Sequence, residues 1–244
     1  MIPKKIHYCW FGRKPKPSLA LKCIESWKKH CPDYEIIEWN EENFNVEECA
    51  FCREAYDAQK WAFVTDYARL SVVYRFGGIY LDTDVEVIRN LDTLLDNDCF
   101  LGIEQSLQNF AVATGLGFGA VSGHRVLKDL IDEYKKRSFD LISCPEFDTP
   151  IIERHGYVRQ NRTQNLGDIV IYSTEFFCPK DYESGKITLT DQTYTIHHFA
   201  ASWVDERQKR EFKKYKRRER RNLFIISIIG KKNYDRLKRM LHRE

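Results

Sequence analysis

Two aspartates one residue apart, Asp82 and Asp84, follow the apolar run Ile79-Tyr80-Leu81 in the stretch GGIYLDTDVEVI, residues 77–88. Carboxylates held close together repel, and both stay ionised only if something positive lies between them. In an extended chain, side chains at i and i+2 leave the same face roughly 6 to 7 Å apart. A slight tightening at the strand end would let both reach one divalent cation. The ordinary meaning of a D-x-D is a solvated turn, but the residues upstream argue against it here. Asp66 and Arg69 lie three apart on a segment of helical periodicity, so they are neighbours on one helix surface. Alone they would read as an exposed ion pair of little worth. Their helix, however, runs straight into Gly77-Gly78, a strand and the D-x-D. In open α/β sheets, ligands gather outside the carboxyl ends of the strands. Three carboxylates and one arginine converging there suit a metal-bound diphosphate and a sugar with many hydroxyls.

The elements that must position these groups alternate. KKIHYCWFG (4–12) reads as a first strand closed by Gly12, and Ser18 as the N-cap of a helix running to about residue 29. YEIIEW (34–39) is a second strand, followed by helices over about 46–59 and 61–75. In the second of these, Phe63, Tyr67, Leu70 and Tyr74 fall at i, i+4, i+7 and i+11, an apolar stripe toward the core. Gly77-Gly78 then stops the helix. The strand ending in the D-x-D continues as VEVI, FLGIEQ and GLGFGAV read as strands, and 124–137 as a helix. DIVIYSTEFF (168–177) reads as a strand pair and TYTIHHF (193–199) as a late strand. Strand–helix–strand alternation points to an α/β domain with a largely parallel sheet.

A chain of 244 residues that is 43% apolar can bury one large core, with or without an appendage. The sequence around Met1 does not read as a signal peptide, and no stretch approaches the roughly 20 apolar residues of a membrane span. Cys9, Cys23, Cys99, Cys144 and Cys178 stand singly among apolar neighbours, and the C-x-x-C of Cys49 and Cys52 has no second pair at zinc spacing. Free thiols in a reducing compartment are the expectation. Charge is uneven. Residues 207–244 hold sixteen Lys and Arg against four Asp and Glu, +12, while the rest of the chain is −9. A basic tail on an acidic body suggests a polyanion near the tail.

The segment AFVTDYARLSVVYRFGGIYLDTDVEVI (62–88) resembles the DXD-containing sugar-binding region of glycosyltransferase family 32, the capsular and lipopolysaccharide glycosyltransferases. It is also similar to the glucosylating domain of large clostridial toxins. The opening IPKKIHYCWFG (2–12) resembles that family's first strand, and YTIHHFAASW (194–203) its closing motif. The resemblance implies a GT-A fold over residues 1–203, Rossmann-like with a mostly parallel central sheet, followed by a basic helical tail over 204–244. It implies a metal-dependent hexosyltransferase that retains anomeric configuration, by front-face attack since no nucleophile is evident.

Asp66, Arg69, Asp82 and Asp84 would be its catalytic set. Asp66, Arg69 and Asp82 would hold the donor sugar. Trp10, Tyr80, Asp82, Ser202 and Trp203 would line the nucleotide, with Trp10 against the base. Asp82, through water, and Asp84 would hold the metal with His197 or His198. Adjacent histidines on a strand face opposite ways, so only one reaches the site. Related transferases favour His197, while the toxin pattern counted from the tryptophan favours His198. Oxygen ligands with at most one imidazole suit Mn²⁺ or Mg²⁺. Selectivity for the donor sugar would depend on residues around TGLGFGAV (114–121), which the sequence does not place.

Two other classes fit less well. A haloacid dehalogenase-type phosphatase carries D-x-D-x-[TV] near the start of its domain. Here Glu86 fills the fifth position and about eighty residues precede the motif. A nucleic-acid module would need a base-stacking platform, and KKYKRRERR has one interleaved tyrosine, so no nucleic acid is expected. The tail, with basic blocks around Leu223 to Ile229, fits an anionic membrane surface. The expected partners are thus a nucleotide-diphosphate sugar, a glycan or lipid-linked saccharide acceptor, and a membrane. The expected location is cytoplasmic, peripheral on the inner face of the plasma membrane, in the synthesis of bacterial surface polysaccharide.

Overall fold

The first strand, β1 (Lys5–Cys9), is buried along nearly its whole length because it lies inside a sheet with neighbours on both edges. The computed structural model describes residues 1–106, 109–182 and 184–200, which form one unit, Met1–Ala200. Ser202, Trp203 and the basic tail lie outside the described residues.

After β1, helix α1 (Ser18–His30) buries Ala20, Cys23, Ile24 and Trp27, the i, i+3, i+4, i+7 stripe of a helix with one face inward. Pro17 occupies the N-cap position, so Ser18 begins the helix instead of capping it. Lys28, Lys29 and His30 meet the negative end of the helix dipole. Strand β2 (Glu35–Trp39), a 3-10 turn (Val46–Glu48) and helices α2 (Ala50–Asp57) and α3 (Trp61–Phe76) follow. Helix α3 is buried almost all round, from Phe63 through Val73 apart from half-buried Thr65. Gly77, at φ 64, ends it in a conformation that costs a residue with a side chain more than it costs glycine.

Then come β3 (Gly78–Tyr80), β4 (Val85–Val87), β5 (Cys99–Ser106), β6 (Asn109–Val112), β7 (Phe118–Ala120), helices α4 (Arg125–Lys135) and α5 (Cys144–Glu153), β8 (Gln164–Asn165), β9 (Ile169–Tyr172), α6 (Thr174–Phe177) and β10 (Thr195–His197). The main sheet runs β2-β1-β3-β7-β5-β9-β8, with β6 paired to β5. Pairs β1·β2, β1·β3 and β5·β9 are parallel, and β7 runs antiparallel between β3 and β5. The expected mostly parallel α/β sheet is therefore present, with β6, β7 and the edge strand β8 reversed. Strands β4 and β10 make a separate antiparallel pair.

Several elements differ from the sequence-based expectation: β6 and β8 are additional strands, and the helix expected over about 46–59 is a 3-10 turn followed by α2. DIVIYSTEFF is one strand and one helical turn. Adjacent Phe176 and Phe177 both need burial on one side: Phe176 stacks on Tyr194 at 6.2 Å and Phe177 on Phe100 at 5.6 Å. A strand would send them to opposite faces. Helix α5 is not among the elements read from the sequence, and it carries Pro145 and Pro150. Pro145 lies in the first turn, where a missing N–H costs nothing. One residue before Pro150, Thr149 bonds back to the carbonyl of Pro145 at 2.5 Å and accepts the N–H of Val112 at 3.0 Å. That exchange ties the helix to β6. All eight cysteines are free.

Candidate active site

The carboxyl ends of β1 and β3 lie side by side, so Trp10 and Asp82 leave the same edge of the sheet. Beyond β3 the chain makes a tight turn, closed by the Val85 N–H on the Asp82 carbonyl at 3.0 Å. This turn aims Asp82 and Asp84 together. Strand β10 pairs with β4 so that His197 stands opposite Val85, and the His198 N–H bonds the Asp84 carbonyl at 2.9 Å.

Ligand atoms of Asp82, Asp84 and His197 all lie within 4.8 Å of one another. His197 Nε2 is 3.3 Å from Asp84 Oδ1, and the Ala200 N–H donates to Asp84 Oδ2 at 2.8 Å. Burial opposes the negative charge on Asp84, but the charge and hydrogen bond of His197, with the Ala200 N–H, bring its pKa down to about 2. Burial likewise opposes a proton on His197, and Asp84 outweighs it, raising the imidazole above its ordinary value. His197 Nδ1 is buried without a hydrogen-bond partner. Two carboxylates and one imidazole within reach of a point form a donor set that fits a hard or borderline divalent ion. His198 faces the other way, its Nε2 2.7 Å from Glu86 Oε2. Of the two alternatives left open by the sequence, the strand geometry brings His197 to the aspartates.

Asp66 and Arg69 are not a surface pair. They are 5% and 3% exposed, with Arg69 Nη2 2.7 Å from Asp66 Oδ1 and 3.6 Å from Asp82 Oδ1. Arg69 Nε donates to the Thr65 carbonyl at 3.2 Å, and Nη1 lies 3.5 Å from Thr114 Oγ1 and 3.8 Å from Cys144 Sγ. The guanidinium thus answers Asp66 and Asp82 at once. Burial raises the Asp66 pKa to about 6 despite Arg69, and Asp82 adds to the rise. Burial raises Asp82 as well, against the pull of Arg69. Tyr80 is fully buried, donates its hydroxyl to Asp82 Oδ1 at 2.7 Å, and lies under the Arg69 guanidinium at 5.2 Å. It meets the site through Asp82. Trp10 is half-buried, with Lys16 Nζ 5.9 Å from its ring and its indole N–H on the Lys14 carbonyl at 2.6 Å.

Thr114, Gly115, Cys144 and Asp148 also converge here, although no sequence pattern marks them. A Cβ on Gly115 would stand 2.7 Å from Asp82 Oδ2 and 3.0 Å from Arg69 Nη1, so only glycine lets the backbone approach this closely. Thr114 donates to Asp148 Oδ2 at 3.0 Å, and Tyr134 donates to Asp148 Oδ1 at 3.2 Å.

Residues 17–101 match the family model described as the glycosyltransferase sugar-binding region containing DXD motif. The chain is 31% identical over 127 residues to inositol phosphoceramide mannosyltransferase 3 of Schizosaccharomyces pombe, covering 45% of this chain and 33% of that protein. It is 25% identical over 111 residues to subversion of eukaryotic traffic protein A of Legionella pneumophila, covering 34% of this chain and 17% of that protein. The chain therefore spans a third or less of these curated relatives. Among solved structures, the PaToxG glycosyltransferase superposes with a TM-score of 0.51 at 17% identity, covering 63% of this chain and 69% of that one. The chain has the α/β fold of the GT-A glycosyltransferases, and the D-x-D of Asp82 and Asp84 falls within the residues matched to the DXD-containing region.

Proposed function

We propose that the chain is a metal-dependent glycosyltransferase that moves a sugar from a nucleotide-diphosphate sugar to a glycan or lipid-linked saccharide. Its setting would be bacterial surface polysaccharide synthesis, on the cytoplasmic face of the plasma membrane. The observation that carries this reading is the convergence of Asp82, Asp84 and His197 beside the buried Asp66–Arg69 pair. Asp84 and His197 would hold the ion directly and Asp82 would complete the set. Mn²⁺ or Mg²⁺, when bound, would neutralise the charge that develops on the departing diphosphate.

The protein's own groups supply position and charge. Arg69 favours the charged form of Asp82 and aims it, and Tyr80 fixes the Asp82 oxygen that it touches. Asp66 and Arg69 would orient the sugar, and Trp10 would cover the base, with Ser202 and Trp203 closing over the diphosphate. An oxocarbenium-like transition state calls for positioning and electrostatic stabilisation more than for a covalent partner. Retention by front-face attack is the stereochemistry this reading adopts.

The test is incubation with a panel of sugar nucleotides and Mn²⁺, with detection of released nucleoside diphosphate. Metal-dependent release from one or a few donors is expected, and its loss in Asp84→Asn. No release from any donor, with or without acceptor, would overturn the reading. Among the described residues no helix is long and apolar enough to cross a membrane. Membrane contact through the tail rests on its sequence.

A further inference from the structure

Asp148 is a carboxylate of zero exposure with no cation at hydrogen-bond distance among the described residues. Such a group is costly to bury and needs a reason. Its two oxygens are each taken by one hydroxyl: Oδ2 by Thr114 at 3.0 Å, Oδ1 by Tyr134 at 3.2 Å. A threonine hydroxyl has one proton. Since Thr114 gives that proton to Asp148, only lone pairs remain to face Arg69 Nη1, 3.5 Å away. The Arg69 guanidinium is thus reached through one hydroxyl.

We propose that Asp148 is a positioning residue of the donor site, which polarises and orients Thr114 so that Thr114 accepts from Arg69 and holds the guanidinium plane against Asp66 and Asp82. The inference rests on the glycosyltransferase reading for its link to turnover, though not for its geometry. The placement is built, since Thr149, the next residue, locks the same helix to β6 through Val112. Thr114 follows two residues after Val112, so α5 is tied to the backbone that carries Thr114. Burial and the charge of Asp66 push the Asp148 carboxyl up to about 7, while Thr114, Arg69 and Tyr134 pull it down. The group is therefore held at some electrostatic cost, which a merely space-filling leucine would avoid.

The experiment uses the full chain and the variants Thr114→Val, Thr114→Ser, Asp148→Ala and Asp148→Asn. Three quantities are measured: the Arg69 Nε–H resonance and its exchange rate, assigned by its loss in Arg69→Lys; affinity for Mn²⁺ with nucleoside diphosphate; and release of nucleoside diphosphate from the donor. Displacing a positioned group by a fraction of an ångström to 1 Å costs up to about a hundredfold. Thr114→Val and Asp148→Ala should therefore each lower turnover by about tenfold or more, with nucleotide affinity held within about twofold. Thr114→Ser keeps the hydroxyl and Asp148→Asn keeps an acceptor oxygen, so both should stay near wild type. If Asp148 acts through Thr114, the double variant Thr114→Val/Asp148→Ala is no slower than either single. Arg69 Nε–H should exchange faster in Thr114→Val and not in Thr114→Ser.

Additive losses, or an Arg69 resonance and turnover unchanged in Thr114→Val, would overturn the proposal. Should Asp148→Ala fail to fold, the Thr114 pair still decides between the outcomes. Should the wild type release nothing from any donor, the glycosyltransferase reading fails, and the Arg69 resonance in Thr114→Val against Thr114→Ser alone decides the positioning.

Discussion

Trp27 donates its indole N–H to the carbonyl of Val85, 58 residues further along, at 2.7 Å, with both groups buried. The bond has a partner one residue away: Ser26 Oγ accepts the Val87 N–H at 2.9 Å. Strand β4 pairs with β10 on one edge only. Its other edge would be an open ladder, and two side chains of α1 fill it. Because Asp84 immediately precedes Val85, the helix also fixes where that aspartate emerges.

Trp27→Phe removes the donor and little volume, leaving the Val85 carbonyl buried and unanswered. Stability should fall by about 1–3 kcal/mol, read from denaturant midpoints. Release of nucleoside diphosphate in the folded variant should fall too, since the Asp84 turn loosens. A variant with unchanged stability would show that the bond is answered by water in solution.

Asp84→Asn tests the charge at the strand end. From the sequence the two aspartates look solvent-facing and mutually repelling, so their loss should relieve strain. In the structure each is answered, Asp82 by Arg69 and Tyr80, Asp84 by His197 and the Ala200 N–H. Turnover should drop by about a hundredfold or more. Stability should also decline by about 1–3 kcal/mol, as an ion pair loses one partner. A more stable variant in thermal melts would contradict the pairing.

His197→Ala and His198→Ala should separate cleanly in a Mn²⁺ titration of turnover. Losing an outer-sphere partner of a metal already costs roughly tenfold in affinity, so His197→Ala should raise the half-saturating Mn²⁺ by at least that much. His198→Ala breaks only the partly exposed bond to Glu86. It should leave the metal response in place and cost under about 1 kcal/mol. The reverse pattern would give the ion to His198.

Asp148 makes a prediction about pH. Its folded-state pKa is pushed up to about 7, against an unfolded value of about 3.9. The native state therefore binds the proton more tightly than the unfolded chain. Its contribution to stability is greatest below about pH 4 and declines as pH rises toward 7. The limiting slope is about 1.4 kcal/mol per pH unit. Asp66, pushed up to about 6, acts in the same direction. Asp148→Asn should flatten this decline, gaining on the wild type between about pH 4 and 7 in denaturant unfolding. Parallel pH profiles would mean that Asp148 is ionised in the native protein throughout.

Deleting residues 207–244 removes a net charge of +12 and the apolar run Leu223 to Ile229. Sedimentation of the intact protein with anionic liposomes should weaken as salt rises, since each surface charge is worth about 1 kcal/mol and is screened. The deletion should abolish sedimentation and spare hydrolysis of the donor. Intact protein that ignores anionic liposomes at low salt would remove the membrane from the account.

What could be inferred from sequence tracks locality. Asp66 and Arg69 lie on one helix and Asp82 and Asp84 at one strand end, so spacing alone makes them neighbours. Helix α3, β3 and Gly77-Gly78 follow from local periodicity and backbone preference. Burial of the Asp66–Arg69 pair was not legible, because α3 is covered by α2 and α4, with Cys144 of α5 reaching Arg69, and periodicity cannot see a second layer. Thr114, Cys144 and Asp148 are hidden for the same reason: Thr114 and Cys144 lie against Arg69, and Asp148 against Thr114, only once α5 packs against β6. His197 over His198 depended on the register of β10 against β4, which two adjacent identical residues do not betray.

The pairing of β10 with β4 has a consequence for how the protein acquires its site. Val85 and His197, paired across β4 and β10, are 112 residues apart in the chain. Closing a loop of that length costs about 4 kcal/mol in chain entropy. The β4–β10 pair is only three residues long, so its few ladder bonds cannot meet that cost before the intervening β5–β9 framework has formed. Asp84 and His197 should therefore come together late in folding, after the sheet and α1 are in place. In refolding kinetics, changes at β10 should speed unfolding and leave the folding rate nearly untouched, whereas changes in β1 or α3 should slow folding itself.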